Sequence, residues 1–211
     1  MLWIITAIII SYLIGSIPTA YIFCRLLKGV DVRTVGSGNV GATNALRVLG
    51  KGWGVTNLIL DILKGAIPVI FLGNILGPRI TFLTNEQIRL LIGFCCICGH
   101  NWTVFLNFKG GKGVASSLGA LIGLAFTIPG LSAILGLLLL TWLLVFLLSR
   151  IVSLASIIAF VALPVYALVF RQSKFMISAG IILSLFAIIR HITNIKRLLE
   201  GKEPRLNFKK H

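Results

Sequence analysis

The segment "LSAILGLLLLTWLLVFLL", residues 131–148, establishes the fold class of this chain. None of its residues is charged, and roughly 20 apolar residues are enough for a helix to cross the hydrocarbon core of a bilayer. Further apolar runs flank it, so that seven transmembrane helices are predicted, at 2–23, 55–76, 88–108, 114–128, 131–148, 152–170 and 175–192. The run at 114–128 is short, which leaves six spans as the alternative.

Composition indicates the same class. Hydrophobic residues make up 57% of the 211 residues, charged residues 12%, and the mean hydropathy is +1.02. Soluble domains are about 45–50% apolar and about 25% charged. We therefore predict an all-α integral membrane protein, a single polytopic domain over 1–211 with short interfacial or re-entrant helices in its cytoplasmic loops. The run at 2–23 exceeds the roughly 7–15 apolar residues of a cleavable signal and is predicted to be a retained span.

The basic residues are distributed unequally between the two sides of this topology. Those after the first, third, fifth and seventh spans are Arg25, Lys28, Arg33, Arg47, Lys51, Lys109, Lys112, Arg150, Lys196, Arg197, Lys202, Arg205, Lys209 and Lys210. Those on the opposite side are Arg79, Arg89, Arg171 and Lys174. Because cytoplasmic loops are enriched in Lys and Arg, the N-terminus is predicted to be outside. The C-terminus, with a basic tail from about residue 196, is predicted to be cytoplasmic.

The formal net charge of +15 favours anionic headgroups or anionic substrates as partners. A nucleic-acid-binding protein usually has a continuous basic patch, whereas these basic residues are divided among short loops, so nucleic acid is not expected. The cysteines lie in apolar runs, and Cys95 and Cys98 form a CxxC on a predicted membrane helix. Buried free thiols are the better interpretation, with neither a disulfide nor a metal site.

The first polar cluster is "VGSGNVGATNALRVLGKGWG", residues 35–54. The glycines of "GSGNVG" (36–41) have the spacing of the dinucleotide-binding GxGxxG, but that fingerprint needs a preceding strand, and here the neighbours are membrane spans. The letters "ALRVL" predict a short helix with Thr43 or Asn44 as its N-cap and Gly50 as its C-cap. A helix N-terminus beside a glycine-rich loop is a suitable site for an anion.

The second cluster is "GHNWTVFLNFKGGKGVASS", residues 99–117. The glycines of "KGGKG" (109–113) allow backbone amides to form an anion-binding nest, and its two lysines supply positive charge. The fourth span begins directly afterwards with a second helix N-terminus. A P-loop requires GxxxxGK[ST], and this chain has Leu106 in place of the first glycine and Gly113 in place of the hydroxyl residue. ATP hydrolysis is therefore not supported.

Two further polar breaks lie on the same predicted side, "SRIVSLAS" (149–156) and "RHITNIKRLLEGKEP" (190–204). His191 and Asn194 are three residues apart, and residues at this spacing share one helical face. On that face the two side chains can act together on a polar group.

Each of these features also has a purely structural interpretation. Glycines in spans often allow close helix packing, basic residues at span ends set topology, and a histidine at a span end suits interfacial capping. Asp61 and Lys64, three residues apart in the second span, can simply neutralise each other, although an ionisable residue at membrane depth is a functional candidate. The concentration of two glycine-rich loops, several cations and a His–Asn face on one membrane side favours function.

Three segments in this order, "GSGNVGATN" (36–44), "GHNWTVFLNFKGGKG" (99–113) and "RHITNIKRLLEGKE" (190–203), resemble the bacterial acyl-phosphate:glycerol-3-phosphate acyltransferases, the PlsY family. The resemblance extends to "DILKG" (61–65) and "SLAS" (153–156) and so covers nearly the whole chain. It implies a seven-helix, monomeric enzyme of the bacterial cytoplasmic (inner) membrane, with its active site on the cytoplasmic face and without a cofactor. It implies that a fatty acyl group passes from acyl phosphate to a hydroxyl of glycerol 3-phosphate. The products are 1-acyl-glycerol 3-phosphate (lysophosphatidic acid) and phosphate, at the first step of phospholipid synthesis.

The resemblance also assigns candidate site residues. The family's substrate-pocket positions are matched by Ser37, Arg47, Lys112, Ser153, His191 and Asn194. The glycine-rich loops add Gly36, Gly38, Asn39, Thr43, Asn44, Lys109, Gly110 and Gly111 as phosphate-binding candidates, and Ser37, Lys112, His191 and Asn194 are the catalytic candidates. Arg47 and Lys112 are expected to bind phosphate oxygens, while His191 and Asn194 orient glycerol 3-phosphate. The proton of the attacking hydroxyl is expected to pass to a substrate phosphate oxygen, with His191 as the alternative base.

This chemistry suits the residues, because an acyl phosphate carries a good leaving group and needs mainly positioning and preorganised electrostatics. The HxxxxD pattern of other glycerolipid acyltransferases is absent, since Phe105 follows His100 and Lys196 follows His191 at that spacing. The alternative function is a transporter or channel for organophosphate anions. Its site would lie near the bilayer midplane between repeated halves, whereas these clusters lie at one face of a chain without an evident repeat. A scaffold with anionic-lipid patches is a third reading, which would not need the glycine pattern.

Overall fold

The computed structural model describes residues 1–206, and within that range all regular secondary structure is helical. Contacts divide the chain into two compact units, Met1–Ile128 and a second that begins at Pro129. Within residues 1–206, five helical segments are long and apolar enough to cross a membrane, or six if a bent pair counts as one span. The all-α class is confirmed, while the seven-span count, the orientation and the single domain stay predictions. Lys209 and Lys210 of the predicted basic tail lie outside the described residues.

The first unit contains the helices α1 (Leu2–Ser16), α2 (Thr19–Lys28), α3 (Ala42–Leu49), α4 (Lys51–Ile67), α5 (Gly73–Leu76), α6 (Asn85–Asn101) and α7 (Val114–Ala125). The first candidate span, Leu2–Lys28, consists of α1 and α2, which are separated by a break in the helix at Ile17 and Pro18. A π-helical turn at Pro68–Leu72 joins α4 to α5, because a proline inside a helix cannot donate its backbone hydrogen bond. α7 is apolar but has only 12 residues, fewer than the roughly 20 that a transmembrane helix needs.

Small residues bring the helices of this unit into close contact. α1 packs against α6, and α4 packs against α7. A Cβ added to Gly99 would overlap the carbonyl oxygen of Tyr12, and one added to Gly119 would overlap that of Ile62. Glycine at such positions lets backbones approach closely, which is the usual basis of helix association in lipid. The predicted packing role of glycines in spans is confirmed for these two.

The second unit contains α8 (Leu131–Ser149), α9 (Val152–Val169), α10 (Lys174–Arg190) and α11 (Ile192–Leu199). α9 packs against both α8 and α10. α8 leaves a row of leucines exposed, Leu139, Leu140, Leu143, Leu144 and Leu147, as expected for a helix that faces lipid. α10 and α11 meet at His191 with a bend of 63°, so the predicted His–Asn face lies where the last span ends.

Candidate functional site

The first glycine-rich loop, residues 36–41, is held in shape by one buried asparagine. Asn44 is fully buried; its Oδ1 accepts a hydrogen bond from the Ser37 amide at 2.8 Å, and its Nδ2 donates to the carbonyls of Val32 and Val35 at 3.1 and 3.0 Å. Gly36 and Gly38 have φ angles of +61° and +70°, a region that side chains other than glycine rarely adopt. Asn44 therefore shapes the loop by bonding its backbone.

The short helix predicted after this loop is α3, and its C-cap is Gly50 as predicted. Its N-cap is Gly41, so the prediction of Thr43 or Asn44 in that position is wrong. Asn44 does not cap the helix because its side chain is bonded to the Ser37 amide and to the carbonyls of Val32 and Val35.

The second glycine-rich loop is packed against the end of α6. The amides of Gly110 and Gly111 donate to the carbonyls of Asn101 and His100, at 3.2 and 2.9 Å. Gly110 and Gly111 are buried, and a Cβ added to Gly111 would overlap His100 Nε2 and lie 2.5 Å from the carbonyl oxygen of Val40. Val40 belongs to the first loop, so the structure brings the two predicted loops together. α7 begins directly afterwards, at Val114, as predicted.

The side chains of the first-unit candidates differ in exposure. Asn39, Thr43 and Lys112 are half-buried, whereas Ser37, Arg47 and Lys109 are exposed. The Arg47 guanidinium forms neither a hydrogen bond nor an ion pair with the part of the chain that the structure describes. An exposed guanidinium that is not committed to a protein carboxylate can accept a phosphate bidentately.

In the second unit, the Glu203 carboxylate accepts hydrogen bonds from two of the predicted site residues. Glu203 Oε1 accepts from Ser153 Oγ at 2.7 Å and from Asn194 Nδ2 at 2.5 Å, and its Oε2 accepts from Arg197 Nε at 2.7 Å. Ser153 and Asn194 are both buried. Two predicted site residues, Ser153 and Asn194, therefore donate to the same carboxylate oxygen of Glu203.

His191 lies at the junction of α10 and α11 and is 2% exposed. Its Nδ1 lies 2.7 Å from the carbonyl oxygen of Ala187. A carbonyl oxygen only accepts, so Nδ1 carries the proton, and in its neutral form the ring presents Nε2 as an acceptor. This tautomer suits a bond to a substrate hydroxyl.

Sequence reasoning gave Glu203 no role, although it is one of only five acidic residues and follows a basic run. Burial raises the pKa of this carboxyl, but hydrogen bonds from Arg197, Asn194 and Ser153 outweigh that effect and hold the pKa below its ordinary value. The signal in the sequence that could have identified it is a glutamate placed among several Lys and Arg residues.

Glu203→Gln is expected to lower the Tm at pH 7 by a few degrees, because the depressed folded-state pKa means that the charged form stabilises the fold. That stabilisation is complete above the unfolded-state pKa of a glutamate, about 4.3, and is lost as the pH falls through the lower folded-state pKa. Thermal unfolding of both proteins in detergent from pH 7 to pH 3.5 should therefore show the difference in Tm shrinking at the acidic end.

The matched control is Glu200→Gln. Among the described residues Glu200 pairs only with Lys202, and both side chains are largely exposed, a setting in which an ion pair contributes little. A Tm change at pH 7 that is equal in the two variants would contradict the role given to Glu203.

Comparison with known proteins identifies the family. The family model described as glycerol-3-phosphate acyltransferase matches residues 5–201. The chain belongs to the glycerol-3-phosphate acyltransferase family. The glycerol-3-phosphate acyltransferase of Desulforudis audaxviator (strain MP104C) is 42% identical over 207 residues, which are 98% of each chain. That of Endomicrobium trichonymphae is 45% identical over 205 residues, which are 96% of each chain.

Solved structures from the acyltransferase family share the fold. Crystal structures of PlsY (YgiH), an integral membrane glycerol 3-phosphate acyltransferase, exist in a glycerol 3-phosphate form and in a lysophosphatidic acid form. The first matches with a TM-score of 0.85 at 38% identity, covering 97% of this chain and 96% of that one. The second matches with a TM-score of 0.82 at 37% identity, covering 97% and 95%. The resemblance drawn from the sequence motifs is thereby confirmed, as is the integral membrane fold.

Proposed function

We propose that this protein transfers a fatty acyl group from acyl phosphate to a hydroxyl of glycerol 3-phosphate, which gives 1-acyl-glycerol 3-phosphate and phosphate at the first step of phospholipid synthesis. The observation that carries the proposal is the match, over nearly the full length, to PlsY in a form with the acceptor and in a form with the product. Membership of an acyltransferase family disfavours the alternative of an organophosphate transporter. The reaction needs no cofactor and is assigned to the monomer.

The first unit supplies phosphate binding in this proposal. Arg47, exposed and uncommitted, and Lys112, at the N-terminus of α7, bind phosphate oxygens. The amides of Ser37, Gly38, Gly110 and Gly111 already donate to acceptors within the protein, so in this proposal the loops at 36–41 and 110–113 act by positioning the two cations beside the helix N-termini. Asn44 contributes through the shape it gives to the first loop. The exposed Ser37 hydroxyl hydrogen-bonds to the substrate.

The second unit supplies acceptor orientation. His191 presents Nε2 as an acceptor for a hydroxyl of glycerol 3-phosphate, and Asn194 and Ser153 provide hydrogen-bond donors. The attraction of Ser153 and Asn194 for the Glu203 carboxylate supports their assignment to an anionic ligand, because carboxylate and phosphate oxygens accept from the same donors.

The reaction itself is a direct acyl transfer. The acceptor oxygen attacks the acyl carbonyl carbon, a new C–O bond forms, and the bond from that carbon to the phosphate oxygen breaks. The electron pair leaves with inorganic phosphate, whose oxygen takes the hydroxyl proton. Since the leaving group needs little assistance, positioning and fixed positive charge supply most of the rate enhancement.

The donor is tested by an assay of the purified protein with glycerol 3-phosphate and either acyl phosphate or acyl-CoA. Turnover is expected with acyl phosphate, and inorganic phosphate should inhibit because it is the leaving group and would bind the same cations, Arg47 and Lys112. Robust activity with acyl-CoA and none with acyl phosphate would refute the proposed donor. No transfer from either donor, with the protein still folded, would refute the acyltransferase function.

The proposed location is the bacterial cytoplasmic membrane with both glycine-rich loops in the cytoplasm. In a variant with Cys24, Cys95, Cys96 and Cys98 replaced by alanine, single cysteines are placed at the exposed positions Thr81 and Lys51. A membrane-impermeant thiol reagent on intact cells should modify position 81 and reach position 51 only after permeabilisation. The reverse pattern would overturn the orientation.

A further inference from the structure

A cluster of charged and polar side chains lies inside the first unit, and the roles assigned above do not use it. Asp61 and Lys64 of α4 are 1% and 8% exposed, and their Oδ1 and Nζ atoms are 2.7 Å apart. His100 of α6, 7% exposed, has Nδ1 at 3.7 Å from the same Oδ1. Asn57 Nδ2 donates to Asp61 Oδ2 at 2.9 Å. Charges at membrane depth are costly and are retained where they have a task.

The cluster holds the two halves of the first span at their break. Lys64 Nζ donates to the carbonyl oxygen of Ile17 at 3.0 Å, beyond the end of α1, and Thr19 Oγ1, at the start of α2, donates to Asp61 Oδ1 at 2.9 Å. A broken helix is tolerated in a bilayer only where the freed backbone groups find partners. The ion pair therefore bonds to both sides of the break and fixes the direction in which α2 leaves it.

The direction of α2 determines where the first glycine-rich loop lies. Ala20 and Cys24, on the buried face of α2, form a hydrophobic cluster with Val32, Val40 and Ala45. Val40 belongs to the loop at 36–41, and Ala45 belongs to α3 behind it. A shift of α2 at the break would be passed directly to this loop through these contacts.

The same cluster reaches the second glycine-rich loop through His100. The backbone carbonyl of His100 accepts from the Gly111 amide at 2.9 Å, and the ring lies directly against Gly111, whose added Cβ would overlap Nε2. Thr19, Val40, Asp61, Lys64 and His100 line one small cavity. One set of side chains thus bonds to both sides of the break, packs against the second loop and lines a cavity together with Val40 of the first loop.

We propose that Asp61, with Lys64, Thr19 and His100, forms a positioning cluster that fixes the two glycine-rich loops relative to each other. These residues act through the loops and do not touch substrate, and the inference rests on the proposed function for its kinetic consequence. Replacing a buried ion pair by apolar groups of similar volume is often neutral or stabilising for a fold. The pair is therefore retained for the geometry that it imposes on the loops.

The test uses variants that keep the shape of the cluster. Thr19→Val removes the hydroxyl with little change in volume, Thr19→Ser restores it, and the double variant Asp61→Asn with Lys64→Met removes both charges. Amide hydrogen exchange of residues 109–113 is measured in the purified full chain, together with Tm and with kcat and KM for glycerol 3-phosphate. The matched control is Arg89→Met, which removes a buried cation of α6 roughly 16 Å along the helix from His100.

Thr19→Val and the double variant are expected to exchange at least about tenfold faster at 109–113 and to lose at least about tenfold in kcat. Thr19→Ser should restore both values. Arg89→Met, which loses hydrogen bonds to Val69 and Ile70, should lower Tm while leaving loop exchange and the kcat of the folded protein unchanged.

Unchanged exchange at 109–113 in Thr19→Val would overturn the proposal, whatever happens to Tm in the double variant. So would a loss of kcat in Arg89→Met as large as that in Thr19→Val. A wild-type protein without acyl transfer would refute the proposed function alone, because hydrogen exchange still tests the link between the cluster and the loop.

Discussion

Gly111→Ala is expected to lower kcat/KM for glycerol 3-phosphate by about 10²-fold or more. The new methyl group would overlap His100 Nε2 and lie 2.5 Å from the carbonyl oxygen of Val40, so that at least one of the two loops has to move. A displacement of about 1 Å at a positioning group is enough for a loss of this size. Since Lys112 of this loop is proposed to bind phosphate, most of the effect should appear as a higher KM for the phosphate-bearing acceptor.

Gly52→Ala is the matched control for this variant. Gly52 is an exposed residue of α4 in the same unit, and an added Cβ would meet nothing within 4 Å. Its activity should equal that of the wild type, and its Tm should be unchanged or higher, because alanine favours a helix over glycine by roughly 1 kcal/mol. Wild-type kinetics in Gly111→Ala would contradict the tight packing of the second loop. An equal loss in Gly52→Ala would show that the assay does not report on the loop.

The sequence could predict the features that depend on residues close to one another along the chain. Uninterrupted apolar runs predict membrane helices because the bilayer requires a fixed apolar length, and the helices over 131–149 and 152–169 follow that pattern closely. α3 and its C-cap could also be predicted, since a short apolar helix ending at Gly50 depends on neighbouring residues alone. The motif resemblance then identified the family.

Features that the sequence could not predict depend on contacts between distant residues. Asn44 resembles an N-cap because of its position, but its partners are the carbonyls of Val32 and Val35, which no spacing rule selects. The break at Ile17 lies within a predicted apolar span. The carbonyl oxygen freed there accepts a hydrogen bond from Lys64, 47 positions later in the chain. Glu203 likewise accepts a hydrogen bond from Ser153, fifty positions earlier in the chain. Each case is a polar group satisfied by tertiary structure.

His191 has the geometry of an orienting residue. Its Nδ1 donates to the backbone carbonyl of Ala187, whereas a histidine that acts as a general base is commonly held by a carboxylate, which stabilises the imidazolium form. Glu203, whose side chain is 6% exposed, is committed to Ser153, Asn194 and Arg197. A substrate phosphate oxygen is therefore the better destination for the hydroxyl proton.

His191→Ala is expected to lower kcat by about 10²-fold, because the acceptor hydroxyl loses the group that orients it. His191→Gln should recover a substantial part of that loss, since its side-chain oxygen reaches the region of Nε2 and can accept the same hydrogen bond. His191→Asn, which is shorter and better placed to replace the Nδ1 donor to Ala187, should recover less. The measurements are kcat and KM for glycerol 3-phosphate and the pH profile of kcat, which should keep its shape in His191→Gln.

A general base would give a different pattern. Neither amide side chain can take a proton near neutral pH, so both conservative variants would then lose the full 10²–10⁴-fold that such catalysis typically contributes. The limb of the pH profile that reports the base would disappear with them. If His191→Gln is as inactive as His191→Ala while its Tm and its affinity for glycerol 3-phosphate are those of the wild type, the orienting role is wrong and His191 takes the proton.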